Sequence, residues 1–516
     1  MKKILLLILV LTMTSLAACG KSSSKSSLSI FLYHEDIVYS EDMAVFKLAN
    51  DYAGVKLTGF LQKYDSDYRN RFITGGYKAN LVSYDQDTIE SYGLNGTYVD
   101  LTNLIEEHAP NMKAYFDANP EKKAWATASN GAIYGIPFYT DGLTAKGFFV
   151  RQDWVDILLE AQILNSAIYS DLNNLTVQQF EDLLRAFKDN SNLLSDREIV
   201  PYFDRDEEYF VSELASLWNG TAEFYVDDEG TVRLGAVEQE FKTAIENIAR
   251  WYKDGLIDPN ILDGSKNDDR QTYFARNTGG ATHDWIGSTY AFNADVYSDV
   301  MVEGFEIQAI APMIRLDNTR LEPTIRKKIG QVTAIYSKTS EADQIKLIKW
   351  MDYFFSKEGQ DALNFGIENV TYTKSGDKYT YTDAVLNDRN TALANLYKYG
   401  AQLQSPGVQN FDYEEAWLDP DAAAAMAMYE NNEYLNLDYD ELIYPNIKLT
   451  ANEYKTVNAA RTQITYEMNQ QLYQWIINKQ AVNGISSTDW QEFVQLLKTS
   501  GYENIINIYQ GYVDAK

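Results

Sequence analysis

The residues from 28 to 87 decide the fold class through three short apolar runs: "LSIFLY" (28–33), "VKLTGFLQ" (55–62) and "ANLVSYDQD" (79–87). Each run has the length and apolar content of a β-strand. A helix-like stretch with apolar residues on one side, 40–52, separates the first two runs. A chain that alternates strand and helix in this way builds a parallel sheet, so we predict an α/β fold.

Polar side chains follow two of these predicted strands. Tyr33 and Glu35 come after the first run, and Tyr84 and Asp85 lie at the end of the third. Ligands of open α/β sheets bind beside the carboxyl ends of the strands. We therefore expect these four residues at a ligand site, with a solvated acidic surface as the alternative for each carboxylate.

The N-terminus has the features of a secretory signal with a lipid attachment site. Lys2 and Lys3 precede an apolar stretch, 4–13, and small residues lead to Cys19, the only cysteine of the chain. We predict a lipoprotein signal peptide at 1–18, and a lipidated Cys19 with a serine-rich tether at 19–27. The alternative is an ordinary secreted protein in which Cys19 occurs by chance.

The net charge and the aromatic content of the sequence indicate which class of ligand the protein binds. The formal net charge of −29 disfavours nucleic acid, phosphates and anionic lipid head groups. No apolar run after the signal reaches the roughly 18 residues of a membrane-spanning helix. The 38 Tyr and nine Trp, against three His, favour stacking on sugar rings over acid–base or metal chemistry.

Signatures of catalysis are incomplete. His34-Glu35 begins like a zinc-protease helix, but Val38 stands where the second histidine belongs. The sequence has neither a phosphate-binding glycine loop nor a G-x-S-x-G nucleophile turn. Pairs of carboxylates for glycoside hydrolysis are always available among 74 acidic residues, and no context selects one pair. We predict a protein that is not an enzyme and that carries no metal.

Several longer stretches together resemble one protein family. They are "YGIP" (134–137), "VRQDW" (150–154), "LTVQQFEDLLRAFK" (175–188), "WYKDGLIDPNIL" (251–262), "KLIKWMDYFFSKEGQDALNFGIENVTYT" (346–373) and the C-terminal stretch 478–514. In this order they resemble the extracellular solute-binding proteins of sugar ABC transporters, in particular the large members of about 500 residues.

The resemblance implies a two-lobed clamp of the type II periplasmic-binding-protein class, with the ligand cleft between the lobes. We place the N-terminal lobe at 28–138 plus 290–340, and the helix-rich C-terminal lobe at 139–289 plus 341–516. It further implies a lipid-anchored monomer on the outer face of the cytoplasmic membrane. Such a protein captures a neutral oligosaccharide and delivers it to a pair of ABC permease subunits.

The strand ends and the matched loops supply further candidate ligand residues. Trp285 and the preceding Asp284, in "GGATHDWIGS" (279–288), are the first choice, with a core tryptophan as the alternative. Tyr139 and Asp141 follow a predicted strand, and an ordinary turn is their alternative. The remaining candidates are Glu368 and Tyr372, in the loop that matches the family, and Trp417, which covers the cleft or packs its own segment.

One loop departs from the pattern of the large oligosaccharide-binding relatives. Some of them carry a calcium loop after the helix that ends F-K, where this chain has "DNSNLLSDREIVP" (189–201). Asp189, Ser191 and Glu198 could supply oxygens, but Leu193 and Arg197 fall where ligands are expected. Calcium needs six or more oxygens, so we predict no calcium and no other cofactor.

Other functions remain open from the sequence. They are a surface enzyme that processes carbohydrate, a lipoprotein that passes its ligand state to a membrane sensor, and a binding protein for peptides or other polar solutes.

Overall fold

The computed structural model describes most of the chain. The described residues are 27–32, 40–60, 79–140, 145–204, 210–260, 269–293, 302–322, 328–386, 392–403, 406–435 and 447–515. In this part of the chain, every helix is too short or too polar to cross a bilayer.

The strands are β1 (Ser27–Phe31), β2 (Lys56–Phe60), β3 (Leu81–Tyr84), β4 (Ile136–Thr140), β5 (Lys146–Arg151), β6 (Val200–Asp204), β7 (Phe224–Val226), β8 (Val232–Leu234), β9 (Gly279–Trp285), β10 (Ile307–Ile310), β11 (Ile329–Ile335), β12 (Tyr372–Ser375), β13 (Lys378–Tyr381) and β14 (Gly407–Gln409). The helices are α1 (Ala44–Ala53), α2 (Gln86–Leu94), α3 (Thr102–His108), α4 (Pro110–Ala118), α5 (Pro120–Ala126), α6 (Gln152–Glu160), α7 (Ser166–Tyr169), α8 (Val177–Asp189), α9 (Ser191–Leu194), α10 (Phe210–Ala215), α11 (Gln239–Lys253), α12 (Asp269–Ala275), α13 (Ile286–Tyr290), α14 (Glu341–Tyr353), α15 (Lys357–Phe365), α16 (Asp383–Leu386), α17 (Ala392–Tyr399), α18 (Asp412–Glu415), α19 (Pro420–Asn431), α20 (Ala451–Ile476), α21 (Ser487–Thr499) and α22 (Tyr502–Val513).

The first lobe, called the N lobe, is built on a six-stranded sheet of order β14-β4-β11-β3-β1-β2. β1 pairs in parallel with β2 and β3, which confirms the parallel sheet predicted from residues 28–87. β14 is parallel to β4, whereas β11 runs antiparallel to both β3 and β4. The carboxyl ends of five strands therefore lie at one edge of this sheet.

The second lobe, called the C lobe, is built on a four-stranded sheet of order β10-β5-β9-β6. β6 and β9 are parallel, and β5 is antiparallel to β9 and to β10. The carboxyl ends of β6, β9 and β10 consequently share one edge with the start of β5.

The lobe boundaries differ from those predicted. Residues 302–310 belong to the C lobe because β10 pairs with β5. Helix α14 packs against α1, and β14 joins β4, so the chain from 341 to 409 belongs to the N lobe. Hydrophobic periodicity identifies a helix without telling which of two similar α/β lobes it covers, and this is why the sequence misassigned the segment.

Three segments cross between the lobes. They connect Thr140 to Lys146, Ile310 to Ile329, and Gln409 to Pro420. The first two join the carboxyl edge of the N-lobe sheet to the carboxyl edge of the C-lobe sheet, and the third leaves from that same N-lobe edge. The two edges thus face each other across the crossings, as in a clamp with its cleft between the lobes.

The patterns that predict helix starts and ends in the sequence have the expected structures. Helix α8 begins with the predicted capping box, in which Thr176 Oγ1 accepts from the Gln179 N–H at 3.2 Å. Gln179 Oε1 in turn accepts from the Thr176 N–H at 2.9 Å. Gly255 follows α11 with a φ of 66°, the left-handed geometry that terminates a helix.

Candidate ligand-binding site

Ionisable and aromatic side chains lie together at the carboxyl edge of the C-lobe sheet. Strand register places Lys146, the first residue of β5, opposite Trp285, the last residue of β9. It also places Asp204, the last residue of β6, opposite His283. Residues far apart in the chain therefore meet beside the cleft.

A buried chain of ion pairs lies at this edge. Lys146 Nζ donates to Glu213 Oε1, and His283 Nδ1 lies 2.6 Å from Glu213 Oε2. The other ring nitrogen of His283, Nε2, lies 2.8 Å from Glu322 Oε2. All four side chains are at most 5% exposed, so each charge depends on its neighbours for stabilisation.

The neighbours set the charges of this network. Burial alone would lower the pKa of His283, but Glu322 and Glu213 raise it to about 10. Burial likewise opposes the charge on Lys146, while Glu213 and Asp204 hold its pKa above the ordinary value. Burial would raise the pKa of Glu213, but His283 and Lys146 lower it. Along the network, positive and negative charges alternate.

Trp285 lies beside this network at the cleft edge. Its side chain is half-buried, and Lys146 Nζ lies 5.9 Å from the centre of its ring. The Trp285 backbone N–H donates to Asp284 Oδ1 at 2.7 Å, and the Asp284 side chain is buried. Asp284 thus fixes the backbone at this strand end, and Trp285 contributes the aromatic ring.

A second tryptophan reaches the same region from the third crossing. A methyl group placed on Gly287 would lie 3.4 Å from Cη2 of Trp417 and 2.9 Å from Oε1 of Glu414. The indole N–H of Trp417 is buried and donates to none of the described residues. The ring of Trp417 also packs against the N-lobe core, so it joins this region of the C lobe to the N lobe.

Comparisons with known proteins agree with this architecture. No protein-family model matches the sequence. The fructooligosaccharide ABC transporter substrate-binding protein FusA of Streptococcus pneumoniae is 21% identical over 487 residues, 87% of this chain and 83% of FusA. The crystal structure of alginate-binding protein AlgQ2 without calcium ion shares 28% identity and a TM-score of 0.82, covering 95% of this chain and 98% of that one.

The chain is similar in sequence and fold to the extracellular solute-binding proteins of sugar ABC transporters. FusA in complex with kestose has the same fold, with a TM-score of 0.74 and 17% identity over 95% of this chain and 99% of that one. These relatives are named as binding proteins, not as enzymes.

On the N-lobe side of the cleft, Tyr84 and Asp85 lie at the carboxyl end of β3, as the sequence predicted. Tyr84 is half-buried, whereas Asp85 is exposed and caps α2. Its Oδ1 accepts from the Thr88 N–H and its Oδ2 from the Thr88 hydroxyl, both at 2.8 Å. Asp85 therefore has a local structural role at the cleft edge.

Two predicted ligand residues are enclosed in the N-lobe core. Tyr139 is fully buried and donates its hydroxyl to the Lys122 carbonyl at 2.9 Å. Burial raises its pKa well above the usual value. Tyr372 is 4% exposed and packs with Phe365, their ring centres 5.6 Å apart. Both rings therefore pack inside the N lobe and do not stand beyond the end of a strand at the cleft.

The other predicted residues lie elsewhere. Glu368 is exposed in the loop before β12. In the degraded calcium loop, Asp189 ends α8, Ser191 begins α9, and Glu198 is exposed just before β6. Cys19, Tyr33, Glu35 and Asp141 lie outside the described residues.

Sequence reasoning missed the ionic partners at the cleft edge: Lys146, Asp204, Glu213 and Glu322. They come from two strands, helix α10 and the second crossing, and none stands in a recognisable motif. Of these four residues, only Lys146 could have been predicted, because it lies directly after a lobe crossing.

Proposed function

We propose that this chain is the substrate-binding component of an ABC carbohydrate importer and captures a neutral oligosaccharide outside the cell. The relatives support a carbohydrate ligand, since their names specify fructooligosaccharide, alginate and, for a third fold relative of TM-score 0.55, N-glycan. That third relative, NgtS of S. pneumoniae, is 15% identical over 95% of this chain and 99% of its own.

The observation that carries the proposal is the pair of tryptophans at the cleft edge. Trp285 ends β9, and the ring of Trp417 lies against Gly287, two residues further along the chain. An indole face packs on the C–H face of a sugar ring. Trp285 is the more accessible of the two, since its side chain is half-buried at the end of β9.

The net charge of the whole chain, −29, favours a neutral sugar. A uronic acid would bring another negative charge to this acidic protein.

The two-lobed arrangement suits capture of the sugar and its delivery to a permease. Ligand bound to both edges would draw the lobes together about the crossings, and the closed monomer would dock on a permease pair in the membrane. A lipid on Cys19 would keep the protein at the outer face of that membrane. No cofactor is needed for capture itself.

Thermal unfolding against a panel of oligosaccharides tests the proposal. The panel holds fructooligosaccharides, mannose-containing N-glycan fragments and alginate oligosaccharides, each with the purified protein. A ligand that binds only the folded state raises the melting temperature. We expect a rise with one neutral series, and recovery of that sugar intact. Cleaved sugar would indicate an enzyme, and a rise only with peptides would contradict the carbohydrate assignment.

A further inference from the structure

The C-terminal helices, α20 to α22, contact both lobes. Helix α20 packs along α11 of the C lobe and also against α2 of the N lobe. Leu94, the last residue of α2, packs against the apolar cores of both lobes. The lobes are therefore joined by packing at this place, in addition to the three crossings of the chain.

The contact of these helices with the C lobe is broad and apolar. Val457 and Trp475 of α20 lie in the same apolar core as Trp251 of α11. The backbone N–H of Val232, in β8, donates to Gln510 of α22 at 2.8 Å. Exposing such a core to water is strongly unfavourable, so the C-terminal helices must move with the C lobe whenever the lobes move.

The contact with the N lobe is narrow and lies at the start of α20. The Glu90 carboxylate, 3% exposed, accepts from Lys448 Nζ at 2.9 Å and from the Tyr454 hydroxyl at 2.8 Å. The Ser129 hydroxyl donates to the Leu449 carbonyl at 3.0 Å. Pulling these groups apart would leave a buried carboxylate without its cation, which is strongly unfavourable. This contact therefore suits a fixed point between the lobes.

Two helical turns beyond Tyr454, α20 and α2 face each other without a direct bond. Asp87, in the first turn of α2, and Arg461 of α20 affect each other's charge but form no hydrogen bond with each other. Arg461 Nη2 donates to the Tyr509 hydroxyl at 3.0 Å, while its buried Nε–H bonds to none of the described residues. Because α2 follows the carboxyl end of β3, Asp87 lies on the side of the N lobe that faces the C lobe.

The surroundings of Asp87 favour a closer approach of Arg461. Burial raises the pKa of Asp87 to about 6, and the charge of Arg461 opposes this rise only in part. Lys448, the other nearby cation, is already paired with Glu90. Glu223, the other carboxylate near Arg461, is exposed and so interacts with it only weakly. A guanidinium at hydrogen-bond distance would stabilise the Asp87 carboxylate far better.

We propose that the C-terminal helices turn with the C lobe about the contact at 448–454, and that Asp87 and Arg461 form a direct ion pair between the lobes when the cleft closes. The contact at 448–454 is then a pivot, and the ion pair is a clasp that favours the closed arrangement. The proposal goes beyond the proposed function, since it depends on the two lobes and their contacts and not on the identity of the ligand.

Distances between spin labels test the pivot. The purified full chain carries Cys19→Ala, so that the two cysteines introduced for each measurement are its only thiols. The labels replace exposed residues of the N lobe (Asp117→Cys), the C lobe (Glu160→Cys) and the C-terminal helices (Gln495→Cys). Distances are measured with and without trimethylamine N-oxide, an osmolyte that favours the arrangement with less exposed surface. No sugar is added, so the result does not depend on the proposed function.

The two label pairs have different expected outcomes. The distance between positions 160 and 495 should be the same with and without the osmolyte, because both labels lie on one moving body. The distance between positions 117 and 495 should change as the osmolyte is added. A change between 160 and 495, or no change in either pair, would overturn the pivot.

Variants of the proposed ion pair test the clasp. Asp87→Asn should fold normally, because a carboxylate with a raised pKa destabilises the folded state at neutral pH. It should reduce the population with the osmolyte-favoured distance about 5-fold, and Arg461→Gln should do the same. The double variant should differ from the parent no more than either single variant, because all three lack the same pair.

Glu121→Gln, at an exposed position of α5 in the N lobe, controls for the removal of a carboxylate and should leave the distances unchanged. Unchanged distances in Asp87→Asn would mean that the Arg461 Nε–H only binds solvent, and would overturn the clasp. Additive effects of the two single variants would equally contradict a direct pair.

Discussion

Nε2 of His283 lies 2.8 Å from a carboxylate oxygen of Glu322, and this contact fastens the second lobe crossing to strand β9. Glu322 is also held through its backbone, whose N–H donates to the Tyr434 carbonyl at 2.6 Å. The crossing is therefore anchored to the C lobe close to the residue that ends β9, Trp285. Changes at the cleft edge and at the crossing should affect each other.

Replacement of Trp285 tests the aromatic contact with the sugar. Trp285→Ala should weaken binding of the oligosaccharide found in the thermal screen by about 1–3 kcal/mol, roughly 5- to 150-fold, because a stacking ring is lost. Titration calorimetry measures the change. Trp490→Ala is the control, since Trp490 is half-buried and packs on Trp475 in the C-terminal helices. Equal affinity in a folded Trp285→Ala protein would remove Trp285 from the site.

A methyl group on Gly287 should disturb the third crossing. It would come within 2.9 Å of Glu414 Oε1 and 3.0 Å of Leu418 Cδ1, so the segment that carries Trp417 must shift. We expect Gly287→Ala to lower the free energy of unfolding by about 1 kcal/mol and to weaken sugar binding. Gly511→Ala, where a methyl group meets no atom within 4 Å, should instead stabilise its helix. Tighter binding by Gly287→Ala would contradict the role assigned to Trp417.

Lys448 ties the C-terminal helices to the N lobe. Its Nζ lies 2.9 Å from Glu90 Oε1, and Tyr454 donates to Glu90 Oε2 at 2.8 Å. Lys448→Met should reduce the free energy of unfolding by about 2–4 kcal/mol, because the buried Glu90 loses its cation. Denaturant unfolding measures the loss.

Replacing Glu90, the partner of Lys448, with a neutral residue should restore much of the stability that Lys448→Met loses. The double variant Lys448→Met, Glu90→Gln no longer buries an unpaired charge, so its loss should be smaller than that of Lys448→Met alone. Lys455→Met, at an exposed position of the same helix, controls for charge removal. If the double variant is less stable than the single one, the ion pair is not what stabilises this contact.

Glu181 should make stability depend on pH. Burial would raise its pKa, but hydrogen bonds from Trp251 and Arg185 and the charge of Arg250 lower the pKa below the ordinary 4.5. A carboxylate with a lowered pKa stabilises the fold above pH 4.5, and this contribution disappears as the pH falls through the folded-state value.

Glu181→Gln should therefore cost about 1–2 kcal/mol at pH 7, and the difference from the parent should shrink below pH 4.5. Urea unfolding at a series of pH values measures it. Asp182→Asn, at the exposed neighbouring position on α8, controls for the removal of a carboxylate. A difference that grows as the pH falls would refute the assignment.

Attachment of the protein to the membrane should depend on Cys19. In the bacterial host, Cys19→Ala removes the thiol to which we propose that a lipid is joined, so the protein should leave the detergent phase in a detergent-partition assay. The parent protein should remain in that phase. Equal partition of the two proteins would show that the lipid is absent or attached elsewhere.

The sequence predicted the local elements well and the assembly less well. The strands from 28 to 87, the capping box at Thr176 and the helix end at Gly255 follow from patterns within a few residues. The lobe assignment of 341–409 failed because an amphipathic helix covers either sheet equally well. Tyr139 was misplaced for a different reason: β4 continues to Thr140, so Tyr139 lies within the strand and its side chain enters the core, and the exact strand end was not visible in the sequence.

By itself, the sequence determined the α/β class, the two-lobed family and the position of Trp285 at a strand end, because these depend on periodicity, short motifs and their order. Only the tertiary structure decided which residues surround that strand end. Lys146, Asp204, Glu213, His283 and Glu322 are up to 176 positions apart, and strand register and a lobe crossing bring them together. Their charges are stable only because burial forces each to find a partner, and no local pattern encodes that pairing.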